Sequence, residues 1–129
     1  MNRLLIFVLL IILFFGCVKQ AEKRIEGTWH FYYLEAGDTG LVQLWTFSEP
    51  DVLIRVIKNN DSLFYDTAKW EIDKDFLEPK FLKVSGLDNL FDGTYQILKL
   101  NKKYLFLQRT QLPGGASKGA FKRLEFAKE

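Results

Sequence analysis

Val52-Leu53-Ile54-Arg55-Val56-Ile57-Lys58-Asn59-Asn60-Asp61-Ser62-Leu63-Phe64-Tyr65-Asp66-Thr67-Ala68-Lys69-Trp70-Glu71-Ile72 reads as two strands and a turn. β-Branched and aromatic residues dominate both runs, and such side chains suit a pleated, half-buried surface. Asn59-Asn60-Asp61 breaks the pattern with residues that bond their own backbone and favour turns. The reading predicts strands over 52–58 and 62–72.

The same grammar extends in both directions. After residue 24 no helix-length segment carries a 3.6-residue apolar period. Towards the N-terminus, strands are expected over 25–35 and 41–47. Ala36-Gly37-Asp38-Thr39-Gly40 separates them, and Ser48-Glu49-Pro50-Asp51 ends the second. Towards the C-terminus, strands are expected over 76–84, 93–100, 103–110 and 120–126. Pro79 marks the first of these as an edge, bulged or bent strand. Residues 85–92 read as a loop with one helical turn at 87–90, and 111–119 as a loop around Pro113-Gly114-Gly115. Eight short strands with short connections predict an all-β, antiparallel, up-and-down meander. Closing it into a barrel removes the exposed edges. An eight-stranded barrel holds packed side chains or one small ligand.

The N-terminus has a different character. Met1-Asn2-Arg3 precedes twelve apolar residues, 4–15, and Gly16-Cys17 ends them. A membrane-spanning helix needs about 20 apolar residues, whereas a signal h-region needs roughly 7–15 after a basic start. Length therefore favours an N-terminal signal helix. The segment resembles a bacterial lipoprotein signal over residues 1–17. That resemblance implies cleavage before Cys17, a lipid on its thiol and acylation of the new amine. Phe14 stands where the usual box carries Leu, and Gly16 fits the small position. Several acyl chains hold a protein firmly, because each buried methylene contributes about 0.8 kcal/mol. The expected division is a signal at 1–16, a lipidated tether at 17–24 and a barrel domain at 25–129. The absence of Asp after the cysteine leans towards the outer membrane of a double-membraned bacterium.

The mature chain would carry 17 basic and 16 acidic residues. Near-neutrality argues against a nucleic-acid surface. With Cys17 assigned to lipid, no cysteine is left for a disulfide or a metal site.

Gly27-Thr28-Trp29 opens the first strand. Gly-x-Trp at the start of an eight-stranded meander resembles the lipocalin (calycin) signature. Over residues 24–127 the chain resembles small bacterial lipocalin-like lipoproteins. The resemblance implies that Trp29 crosses the closed end of the barrel and that a basic residue of the last strand packs on it, for which Arg123 is the candidate. Gly27, Trp29 and Arg123 would then form a folding motif with no ligand role.

With Trp29 inward, period 2 turns Phe31 and Tyr33 inward as well. Leu41, Gln43, Trp45 and Phe47 share a face. So do Val52, Ile54 and Val56, then Phe64, Ala68, Trp70 and Ile72, then Tyr95 and Ile97, and Leu105 and Leu107. Tyr33, Trp45, Phe64 and Tyr95 are the expected upper-lumen walls, with Arg109 at the rim. Aromatic walls and one cation suit a small apolar or amphipathic ligand; the competing reading is a barrel filled by those same side chains. Val42, Leu44, Tyr104 and Phe106 leave the outer faces partly apolar, which suits a loop, partner or membrane contact.

Catalytic chemistry has no sequence support. His30 is the only histidine and has neither triad nor metal-ligand companions. Asp73, Asp75 and Glu78 lack the calcium-loop spacing and glycine. Gly114-Gly115 lacks the lysine and strand-to-helix setting of a phosphate loop. No cofactor and no metal are expected. The leading expectation is a lipid-anchored envelope barrel that binds a small ligand. The alternative is a non-enzymatic protein-interaction module acting through the exterior and loops of the barrel.

Overall fold

A computed structural model describes residues 2–34, 42–59, 61–73 and 81–129, with the side chains of 12–19, 33, 34 and 59 outside the description. A helix α1 (Asn2–Ile25) leads into eight strands: β1 (Gly27–Leu34), β2 (Val42–Ser48), β3 (Val52–Asn59), β4 (Ser62–Ile72), β5 (Phe81–Ser85), β6 (Gly93–Leu100), β7 (Tyr104–Gln111) and β8 (Lys122–Lys128). Each strand pairs antiparallel with the next, and β8 pairs with β1, so the sheet is a closed up-and-down barrel. This is the architecture expected from the strand pattern. The hairpin that opened the reading forms as predicted, with Val52 opposite Lys69 and Asn59 opposite Ser62. Residues 76–80 of the expected fifth strand lie outside the described residues. Among the described residues no helix is long and apolar enough to cross a membrane.

Up-and-down order sorts the connections between two ends. The base carries α1, the β2–β3 and β6–β7 turns, and the end of β8. The mouth carries the β3–β4 turn and the loops 86–92 and 112–121. Alternation places Trp29, Trp45, Phe47, Leu53, Tyr95, Leu105, Leu107, Leu124 and Phe126 in the lumen, each no more than 1% exposed. Aromatic rings run along it in contact: Trp45 lies 5.0 Å from Phe126 and 6.2 Å from Phe47, and Phe47 lies 5.5 Å from Trp70. Tilted and edge-on approaches suit the ring quadrupoles. The lumen is a core.

On β3 the inward face differs from the expected one. Leu53 and Arg55 are buried, and Val52, Ile54 and Val56 are turned outward. Both faces of β3 are apolar, so period 2 alone does not choose between them. Arg55 decides the choice because carboxylates on β4 and on the 86–92 loop meet it inside.

The base is corrected in a similar way. Trp29 is fully buried, and its indole N–H donates to the carbonyl of Ile25 at 2.6 Å. The cation over its ring is Lys128, not Arg123. Lys128 stands opposite Trp29 across the β1–β8 pair, 4.5 Å from the ring, and donates to the carbonyl of Glu26 at 2.5 Å. Leu124 and Phe126 point inward, so Arg123 points out, where it pairs with Glu125 at 3.0 Å and lies over Phe106. Gly27 sits at φ +117°, and a Cβ there would lie 2.7 Å from the Lys128 ammonium. The positive φ favours glycine, and a side chain there would also push the Lys128 head off the ring. Residues 18–24, within the expected tether, belong to α1. Ala21 and Ile25, one turn apart on one face, are buried.

Candidate functional site at the barrel mouth

The loop 86–92 folds over the lumen and is shaped by its own aspartates. Asp88 accepts from the backbone N–H groups of Leu90 and Phe91 at 2.9 and 3.0 Å. Asp92 accepts from those of Gly86 and Leu87 at 3.1 and 2.8 Å. Such bonds are the ordinary use of Asp in turns. They aim Phe91 down into the barrel, where it is 7% exposed and meets Phe31 and Trp45 edge-on at 6.3 and 5.7 Å.

Three cations hold the loop in place. Arg55 is 4% exposed. Its guanidinium donates to Asp66 at 2.6 and 3.0 Å and to Asp88 at 3.0 Å, and lies 5.3 Å from the Phe91 ring centroid. Arg109, equally buried, donates to backbone carbonyls: Ala120 at 2.8 Å, Leu90 at 2.8 Å, Asp92 at 3.1 Å and Asn89 at 3.2 Å. Lys122 donates to the Leu90 carbonyl at 2.7 Å and lies 4.9 Å from the Phe91 ring. Burial, with help from Arg109, pulls the Lys122 ammonium below its usual range. The Tyr95 hydroxyl donates to the Phe91 carbonyl at 2.5 Å, and burial pushes that phenol up. Gly93 at φ +141° leaves the room that Arg109 needs, since a Cβ there would strike the Gln111 carbonyl and the Arg109 stem.

Of the residues expected to line a ligand site, Trp45, Tyr95 and Arg109 are brought together. They do so as parts of a filled mouth: Arg109 clamps a loop and is not an open rim cation. Phe64 is corrected. It has the inward parity, opposite Ile57, but stands above the barrel at the β3–β4 tip and is 57% exposed. Tyr33 has its backbone in β1, and its side chain lies outside the description. Sequence reasoning missed Arg55, Asp66, Asp88, Phe91 and Lys122. One signal was available: Arg55 is the single charge in the apolar run 52–57, and Asp66 falls opposite it once 59–61 is taken as the turn.

The exterior has two apolar faces of unlike character. Tyr104 and Phe106 stack at 5.8 Å, with Lys99 over both and Arg123 over Phe106, so cations cover that face. Across β2–β4 the row Leu44, Val56, Tyr65 and its neighbours Val42, Ile54 and Leu63 lie on the outside. His30 is exposed beside them on β1. A surface cleft of about 570 Å³ runs outside β4–β6 under Leu112–Gly115, and another of about 450 Å³ lies at the base beside Glu22, Asp51, Glu71 and Asp73. Among the described residues no cluster of His, Cys, Asp and Glu has the arrangement to hold a metal ion. Asp75 and Glu78 lie outside the described residues. Comparison of the chain with family models, curated proteins and solved structures gives no match.

Proposed function

We propose that this chain is a non-enzymatic protein-interaction module of the cell envelope, held to a membrane through lipid on Cys17. The filled lumen carries this reading: the barrel spends its interior on its own side chains, so recognition falls to the exterior. At the mouth, opposite α1, Leu90 is 63% exposed and Phe121 75%. Both sit on loops that the Arg109 and Lys122 clamps hold still. Exposed apolar side chains on rigid supports, rimmed by lysines, are what a partner surface requires. The lipocalin-type family and the outer-membrane location belong to the same proposal.

A pull-down from envelope extracts tests it. Captured protein should be lost with Leu90→Ser/Phe121→Ser and kept with Tyr104→Ser; equal capture by all three chains would sink the reading. For the anchor, radiolabelled palmitate should enter the parent and not Cys17→Ser.

A second reading, binding of a small amphipathic ligand, draws on one observation. The Phe91 ring fills the upper lumen under Arg55 and Lys122, and the Asp88 carboxylate meets Arg55 at the mouth, as the tail and head of an acidic amphiphile would. A ligand would have to displace that loop. Titration with fatty acids, followed by tryptophan fluorescence, discriminates: saturable one-to-one binding that grows stronger in Phe91→Ala favours the ligand reading over the first.

A further inference from the structure

β4 outruns its neighbour. It pairs with β3 from Ser62 to Lys69 but with β5 only from Lys69 to Ile72. The Trp70 N–H donates to the Asp51 carbonyl at 2.9 Å, which makes Lys69–Val52 a non-hydrogen-bonded pair. Alternation along β4 then points the N–H and C=O of Leu63, Tyr65 and Thr67 away from β3. Gly86 packs against Thr67 and Ala68, since a Cβ there would lie 3.4 Å from the Ala68 Cα. What stays open is a short edge, residues 62–66, with no backbone partner among the described residues. Its side chains are as unusual as its backbone: Leu63, Phe64 and Tyr65 are consecutive and 53%, 57% and 66% exposed. Proteins ordinarily blunt such an edge with charge or proline.

We propose that a second copy of this chain covers the edge, β4 against β4, antiparallel about a two-fold axis at Phe64. The segment is complementary to itself. Leu63 falls opposite Tyr65 of the other copy, Phe64 opposite Phe64, and Ser62 opposite Asp66, so no like charges meet. Asp66 is already neutralised by Arg55 at 2.6 Å. The open groups of Leu63 and Tyr65 exchange four hydrogen bonds, and all three apolar side chains are covered. The open edge is five residues long, bounded by the turn at Asp61 and the loop at Gly86. That length matches a tip-to-tip contact better than a long donated strand. The contact falls well below the roughly 800 Å² per partner of a standard interface, so the dimer forms with concentration. A two-fold axis normal to the sheet reverses the barrel direction, so the two α1 segments leave on opposite sides and the contact joins copies that do not share one membrane plane.

Register-specific crosslinking of the full chain in a mild non-ionic detergent, with Cys17→Ser as background, tests this. Non-hydrogen-bonded antiparallel pairs lie within disulfide reach. Phe64→Cys should form a disulfide-linked dimer at least tenfold faster than Lys102→Cys at the base. A mixture of Leu63→Cys with Tyr65→Cys should crosslink severalfold more than either alone. In sedimentation, the parent should shift from monomer to dimer with concentration, and Phe64→Lys should remain monomeric with an unchanged circular dichroism spectrum. A parent that stays monomeric, crosslinking without regard to register (as association through α1 would give), or Phe64→Cys that binds phosphatidylglycerol vesicles without crosslinking would each overturn the proposal. The mouth residues Leu90 and Phe121 play no part in it, so its failure leaves the interaction reading standing.

Discussion

Lys128 and Glu26 show how much of the base rests on single residues. Glu26 lies between the end of α1 and β1, and a hydrogen bond with Glu49, then burial, raise its carboxyl above the usual range. An acid with a raised folded-state pKa binds its proton more tightly in the native state. Its contribution to stability is therefore greatest below the ordinary value of 4.5 and is lost as pH rises through the folded pKa. Glu26→Gln should raise Tm at pH 7 and do progressively less as pH falls towards 4; calorimetry across that range checks the trend. At this scale the burial of Trp29 was legible, because an aromatic at an inward position of the first strand belongs in the core. Its cation was not. Arg123 and Lys128 differ in which way they face, and that depends on where β8 begins and ends, which chain propensity fixes only to within a few residues.

Among the elements, the 86–92 loop and the β3–β4 hairpin are joined through Arg55. Its side chain is 5% exposed, while those of Asp66 and Asp88 are 40% exposed. The asymmetry predicts the outcome of removal. Asp66→Asn/Asp88→Asn strands a buried cation and should cost about 3–5 kcal/mol, whereas Arg55→Met leaves carboxylates that water reaches and should stay within about 1–2 kcal/mol of the parent. Urea unfolding of the two variants measures the difference. The hairpin itself was legible from Asn59-Asn60-Asp61 between two apolar runs. The inward turn of Arg55 was not, since a charge on an apolar strand reads as solvent-facing until its partners are known. Phe91 was hidden for a related reason. A loop phenylalanine carries no periodicity, and the loop's bonds to Asp88 and from Arg109 and Tyr95 send it inward.

For the whole molecule, eight strands and their order followed from the β-branched and aromatic runs and the turns between them, because each strand pairs with its neighbour in sequence. The filling of the lumen did not follow, since aromatic walls suit a cavity and a core alike. The exception to neighbour pairing is β1 with β8, and its contacts are the longest in the chain: Lys128 reaches Glu26, 102 residues away, and the Glu129 N–H donates to the Thr28 carbonyl at 3.0 Å. Removing residues 126–129 should abolish cooperative unfolding, followed by circular dichroism in urea, and not merely lower its midpoint. There is also a consequence in time. Neighbouring hairpins can form as soon as each turn is made, but loop-closure entropy delays the β1–β8 pairing until the last strand is present. Until then the chain is an open ribbon whose first strand waits unzipped after α1. The final seven-residue strand is the seal, and stopped-flow refolding should find closure slower than hairpin formation.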